Sequence, residues 1–93
     1  MELNIKHNEK LHRFEAEIDG EFAFIEYSRF PDGIIFNHTE VPQALEGQGI
    51  AAQLAKYVLE YARREHLRVV PLCPYVNAYV KKHPEYNELT QGF

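Results

Sequence analysis

Cysteine is nearly missing from this chain: Cys73 stands alone, so no intramolecular disulfide can form and a reducing compartment is expected. Long apolar runs are missing too. The opening Met1-Glu2-Leu3-Asn4-Ile5-Lys6 alternates polar and apolar residues, and nothing after it has the length of a signal-peptide core or a membrane span. A cytoplasmic protein without a membrane partner is therefore expected. Positive charge is in deficit, with 10 Lys and Arg against 14 Asp and Glu and a net charge of −4. Counterion release from nucleic acid requires the opposite balance, so no nucleic-acid partner is expected. His7, His12, His66 and His83 are scattered without an i, i+4 pair, which argues against a helical metal site. Repeats, low-complexity tracts and interdomain linkers are absent as well. What remains is 93 residues, 45% hydrophobic, with six Phe and six Tyr to fill a centre. A chain this short buries roughly 60 to 65% of its unfolded surface and cannot be split into two adequate cores, so residues 1–93 are expected to form one domain.

Alternation with period two over residues 2–7, 12–18 and 21–29 predicts three antiparallel strands, the last two joined by a tight turn at Asp19-Gly20. Pro31-Asp32-Gly33 introduces a fourth strand over 34–41, whose Ile34-Ile35-Phe36 run predicts burial on both faces. Ala51, Leu54, Ala55, Val58, Leu59 and Ala62 then recur at helical spacing, with Gln53, Lys56, Glu60, Arg63 and Arg64 opposite. Tyr57 and Tyr61 widen the apolar stripe toward a further packing partner or a second subunit, and the oligomeric state stays open. A short strand over 67–72 follows the helix, and strand, helix and strand in succession imply parallel pairing of strands four and five. Pro74 opens a second helix to about Lys82, ended by His83-Pro84, and a polar tail begins at Glu85. The fold class is α+β: a mainly antiparallel sheet with one parallel pair and two principal helices.

Two features of this outline bear on function. Pro42 follows strand four and Pro71, near the end of strand five, has no N–H, so the pair can diverge there and leave backbone groups open to an extended ligand. Gly47-Gln48-Gly49 opens the first helix, where unpaired N–H groups and the helix dipole suit an anion. Glu46-Gly47-Gln48-Gly49-Ile50-Ala51 resembles the Gln/Arg-x-x-Gly-x-Gly/Ala signature with which GNAT-superfamily N-acetyltransferases hold the pyrophosphate of acetyl-CoA, Gly49 and Ala51 taking its small-residue positions. His38-Thr39-Glu40-Val41-Pro42, Pro71-Leu72-Cys73-Pro74-Tyr75, Tyr79 and His83-Pro84-Glu85-Tyr86 extend the likeness to the small single-domain bacterial GNAT-like group related to YjdJ, over about residues 33–88. The resemblance implies a compact GNAT-like fold with splayed strands four and five, pantetheine inserted between them, acetyl-CoA as acyl donor and an amine as acceptor, whose identity it does not carry. The chain departs from the signature at Glu46, a carboxylate beside the expected pyrophosphate that would weaken binding unless it turns away or pairs with Lys56 or Arg68. It also lacks the two helices that follow the first strand in larger members.

Acyl transfer to an amine needs a deprotonated amine, a polarised thioester carbonyl and a proton for the departing thiolate. Backbone N–H groups near Thr39 and Val41 suit the second need. His38 and Glu40 are candidate bases for the first; ideal alternation sets both on the side of Ile34 and Phe36, and a bulge would reverse this. By resemblance Tyr79 is the candidate proton donor, with Tyr75 and Tyr86 as alternatives, and the Asn77 amide can contact the donor arm. Cys73 precedes Pro74 at the N-cap of the second helix, where a thiolate is stabilised, and is a candidate acyl-accepting nucleophile beside the slot. The rival readings are a non-catalytic acyl-CoA-binding or regulatory module, and an interaction domain that keeps the fold without the ligand.

Overall fold

The computed structural model describes residues 2–90. Its sheet runs β1 (Lys6–Asn8), β2 (Arg13–Ile18), β3 (Glu21–Phe30), β4 (Gly33–Glu40) and β5 (Arg68–Pro71) in that spatial order. The first three pairings are antiparallel and β4–β5 is parallel, as the strand, helix and strand succession predicts. Asp19 and Gly20 both adopt positive φ, 53° and 81°, in the two-residue turn that suits the twist of the β2–β3 hairpin.

Helix α1 (Ile50–Arg64) buries Leu54, Ala55, Val58, Leu59 and Ala62 on the stripe read from the sequence. It ends in a Schellman motif in which His66, at φ 56°, stands where glycine is usual. The Leu67 N–H donates to the Ala62 carbonyl at 2.9 Å and the His66 N–H to that of Arg63 at 3.2 Å, which turns the chain directly into β5. Helix α2 (Pro74–Lys82) starts with proline at its first position, where the missing N–H costs nothing. Both helices pack on one face of the sheet, against Phe14, Ala23, Ile25, Ile34, Phe36 and Val69, all fully buried.

Three expectations are corrected. β1 covers only Lys6–Asn8, because residues 2–5 leave the sheet edge and half-bury Leu3 and Ile5 beside Tyr57 of α1. Ile35 is half-buried, since the second sheet face carries no helix. The polar tail is a 3-10 helix, Pro84–Thr90, whose Tyr86 is 2% exposed and donates its hydroxyl to the Glu60 carboxylate at 2.7 Å, with Arg63 over its ring. Tyr61 packs on Phe14 and on His7, with Tyr57 also close to Phe14, so a partner inside the fold accounts for the wide stripe. No helix among the described residues is long and apolar enough to cross a membrane.

Candidate functional site

The β4–β5 ladder runs from Gly33↔Arg68 to Phe36↔Pro71 and stops, while β4 continues to Glu40. Pro71 has no N–H with which to extend it. The Cys73 N–H makes the last tie, to the Phe36 carbonyl at 2.8 Å, as the chain turns into α2. Beyond that bond, among the described residues, β3 alone pairs with residues 38–40, so the opposite edge of β4 is free of a strand partner. This is the divergence that Pro42 and Pro71 suggested.

A bulge decides which side chains flank it. Tyr27 pairs with Phe36 but Glu26 pairs with His38, so Asn37 is surplus and parity reverses after it. Thr39 therefore joins the row of Phe14 and Ile25, both fully buried, on the helix-covered face. His38 and Glu40 fall on the open face instead, contrary to ideal alternation with Ile34 and Phe36. There His38 Nε2 lies 2.8 Å from Glu40 Oε1, with both side chains about half exposed. On the covered face, Thr39 Oγ1 lies 3.0 Å from Cys73 Sγ, and Cys73 is 3% exposed. The sequence singled out both residues without their contact, because one was read for its backbone and the other for its helix end.

The loop ahead of α1 is shaped by its glycines. Gly47 and Gly49 have φ of 82° and 75°, a region that L side chains rarely adopt, and a Cβ at either would meet nothing within 4 Å. The requirement is conformational, and it leaves open space in front of the backbone. Gly49 is the N-cap of α1 and offers no side chain to its first N–H groups, so those donors are available to an outside acceptor. A cleft of about 230 Å³ lies there, lined by Val41 after β4, Leu45 of the 3-10 turn Gln43–Leu45, Glu46, Gly47, Gly49, Ile50, Ala51, Ala52 and Tyr75 of α2. The cleft thus joins the glycine loop to Val41, just past the end of β4, and to Tyr75 in the first turn of α2. Gln48 is exposed in the same loop without lining the cleft.

Glu46 is exposed at the cleft with no ion-pair partner among the described residues. The suggested pairing with Arg68 does not occur: Arg68 holds Asp32 at 2.8 and 3.2 Å, and that contact keeps the Asp32 carboxyl below its usual range. Lys56 lines a different groove, beside Glu2 and Leu3.

The three tyrosines separate clearly. Tyr75 lines the cleft and is 39% exposed, and burial raises its phenol pKa. Tyr79, one turn on, is half-buried, stacks on His83 with ring centres 4.0 Å apart and does not line the cleft; burial first, then Glu85, raises its phenol. Tyr86 is committed to Glu60. Asn77 is half-buried on α2, its N–H bonded to the Cys73 carbonyl at 2.9 Å, and its amide does not line the cleft. Leu45 and Ala52 complete the cleft wall and were not singled out from the sequence, where a lone leucine in a loop and an alanine in a helix carry no distinguishing pattern.

Comparison with known proteins gives three findings. The family model of the GCN5-related N-acetyl-transferase matches residues 13–89. Protein NATD1 of Gallus gallus is 34% identical over 85 residues, 88% of this chain and 77% of that protein, and Protein NATD1 of Homo sapiens is 33% identical over 88% and 75%. The solution structure of a GCN5-like protein from Staphylococcus aureus superimposes with a TM-score of 0.76 at 30% identity, covering 98% of this chain and 90% of that one.

Proposed function

We infer the activity from this premise: the chain belongs to the GCN5-related N-acetyltransferase family, and family and fold together support acetyl transfer as its general chemistry. The reading that follows is an acetyl-CoA-dependent N-acyltransferase acting on an amine. One observation carries it: two left-handed glycines open α1 onto a cleft bordered by Val41, just past the end of β4, and by Tyr75 of α2. A diphosphate suits the free N–H groups of Gly49, Ile50 and Ala51, and an extended thiol arm suits the unpaired edge of β4 beside Thr39 and Val41. Residues fit the acyl donor on both counts.

In this reading the arm ends where Thr39 and Cys73 meet on one side of β4 and His38 and Glu40 stand on the other. Tyr75, which borders the cleft, is favoured over Tyr79 as the proton source for the departing thiolate, because Tyr79 does not line the cleft. Cys73 sits close enough to the acyl group to be shielded by it, whether or not it accepts it. The second reading, a non-catalytic acyl-CoA-binding module, draws on the unpaired Glu46 at the cleft.

Calorimetric titration with acetyl-CoA and with CoA tests the binding step. A ligand present at 100 times its Kd and bound only by the native state adds about 2.7 kcal/mol of stability, so thermal unfolding should move upward. Saturating CoA should also slow alkylation of Cys73. Absence of binding heat at millimolar acetyl-CoA would sink both readings, whereas binding without acetyl transfer to any amine would select the second.

A further inference from the structure

We propose a second binding site, apart from the donor cleft: the hollow between the β1–β2 turn and the last turn of α1 takes an aromatic α-amino acid, with its carboxylate on Arg29, its ammonium on Glu9 and its ring against Tyr27 and Tyr61. The proposal does not rest on the transferase reading and would outlive its failure.

The hollow measures about 390 Å³ and is lined by His7, Glu9, His12, Tyr27, Arg29 and Tyr61. That is a size typical of small-molecule sites. Strand register sets it apart from the donor cleft, because His7, Phe14, Ile25 and Thr39 pair in one row across β1, β2, β3 and β4. His7 is thus three strands, about 14 Å, from Thr39. Phe14 and Ile25, both fully buried, fill the interval, so a ligand in the hollow is walled off from the contact between Thr39 and Cys73.

Aromatic rings form its back wall. Tyr27 is 7% exposed with its hydroxyl 2.7 Å from His7 Nε2, and His7 stacks on Phe14 with ring centres 4.2 Å apart. Tyr61 stands edge-on to His7 at 5.2 Å. These contacts fix three of the lining rings before a ligand arrives, which lowers the ordering cost of binding. His12 supplies the fourth from a left-handed backbone: its φ is 54°, and its ring lies 5.8 Å from that of Tyr27 at an interplanar angle of 18°. Glycine would relax that backbone and remove the ring.

Charge selects the ligand class. Glu9 and Arg29 are both exposed at the hollow, and neither has an ion-pair partner among the described residues. His7 feels both of them: burial first lowers its pKa, then Glu9 raises it and Arg29 lowers it. Arg29 Nε donates to the Gly33 carbonyl at 3.1 Å, which anchors one side of the guanidinium fork. A carboxylate and a guanidinium held apart across one hollow match a zwitterion, whereas an ion of either sign alone would meet one like charge. The four rings favour an aromatic body over an aliphatic one. His7, Glu9 and His12 are not gathered as a metal-binding set among the described residues, which leaves the hollow to an organic ligand.

Two-dimensional ¹H–¹⁵N NMR titration of the full chain tests this with L-phenylalanine, L-leucine, 3-phenylpropionate and phenethylamine. Phenylalanine should shift the amide signals of His7, His12, Tyr27 and Arg29 and leave those of Gly47 and Gly49 in place. Leucine, which lacks the ring, should bind about two- to tenfold more weakly. Arg29→Gln should weaken phenylalanine and 3-phenylpropionate roughly three- to tenfold without weakening phenethylamine, and Glu9→Gln should weaken phenylalanine and phenethylamine without weakening 3-phenylpropionate. Both side chains are exposed, so each variant should fold, and the dispersion of its remaining signals reports that directly. No shift at the four amides with millimolar phenylalanine, or shifts centred on Gly47 and Gly49, would overturn the site. Leucine bound as tightly as phenylalanine overturns the aromatic class, and affinities indifferent to both substitutions overturn the zwitterion.

Discussion

Glu46→Gln isolates the feature in which this chain departs from its family's loop signature. The side chain is exposed at the cleft, and neither Arg68 nor Lys56 neutralises it. A carboxylate about 6 Å from a diphosphate bearing two charges is opposed by about 1.4 kcal/mol in water before screening. At physiological salt, where the Debye length is about 8 Å, about half of that survives, and removing the charge should tighten CoA binding roughly threefold. At 0.01 M, where the length is about 30 Å, the gain should rise to roughly sevenfold; at 1 M it should fall to about 1.4-fold. Titrating wild-type and variant proteins with CoA at those three salt concentrations gives the ratio of dissociation constants directly. Because Gln keeps the size and hydrogen-bonding reach of Glu, the salt trend separates charge from shape. Equal affinities at 0.01 M salt would refute the argument and mean that the carboxylate points away from the diphosphate. A gain that ignores salt would refute it differently, by showing a contact that is not coulombic.

Gly49→Ala should destabilise the fold by about 1–2 kcal/mol, the cost of a left-handed L residue, because φ is 75° and no neighbour within 4 Å explains the glycine otherwise. A lowered urea midpoint with weakened CoA binding is the expected result, and an unchanged midpoint counts against a conformational role. Tyr86→Phe removes the 2.7 Å hydrogen bond to Glu60 but leaves Arg63 beside that carboxylate at 3.2 Å, so the loss should be about 1–2 kcal/mol, at the lower end for a bond to a charged group. Burial, followed by Glu60, raises the Tyr86 pKa above the ordinary 10.0. The stabilisation is therefore complete below about pH 10 and declines as pH climbs toward the folded-state value, so the difference between wild type and variant in chemical unfolding should narrow above pH 10. A difference constant from pH 8 to 11 would contradict the linkage.

Much of this arrangement is legible in the residues because local and global preferences agree. The stripe of α1 recurs along the helix, and Leu54, Ala55, Val58, Leu59 and Ala62 on it are buried in the core. Asp19-Gly20 fixes the β2–β3 register through a backbone that few other pairs adopt, and Pro71 marks where the ladder ends because it cannot donate. Gly47 and Gly49 are legible for a different reason: at positive φ the residue type is a direct consequence of the backbone. In each case one residue, or one period, has few alternatives.

The Asn37 bulge has no such signature, and its consequences are the largest. Asn37 is an exposed polar residue whose amide donates to Ser28 Oγ at 2.8 Å, a contact between positions nine apart in sequence that no local pattern announces. One surplus residue reverses every side chain after it, so period-two reasoning puts His38 and Glu40 on the covered face and the fold puts them on the open one. The same reversal delivers Thr39 to Cys73 across 34 residues of chain. Tyr86 follows the same logic on a smaller scale. Its neighbours in the tail are polar and its own burial depends on Glu60 and Arg63, which sit on α1 more than twenty residues earlier. Side chains whose direction depends on a distant partner or on one inserted residue are the ones that pattern misses, and at the parting of β4 and β5 they are Thr39 beside Cys73 and the paired His38 and Glu40.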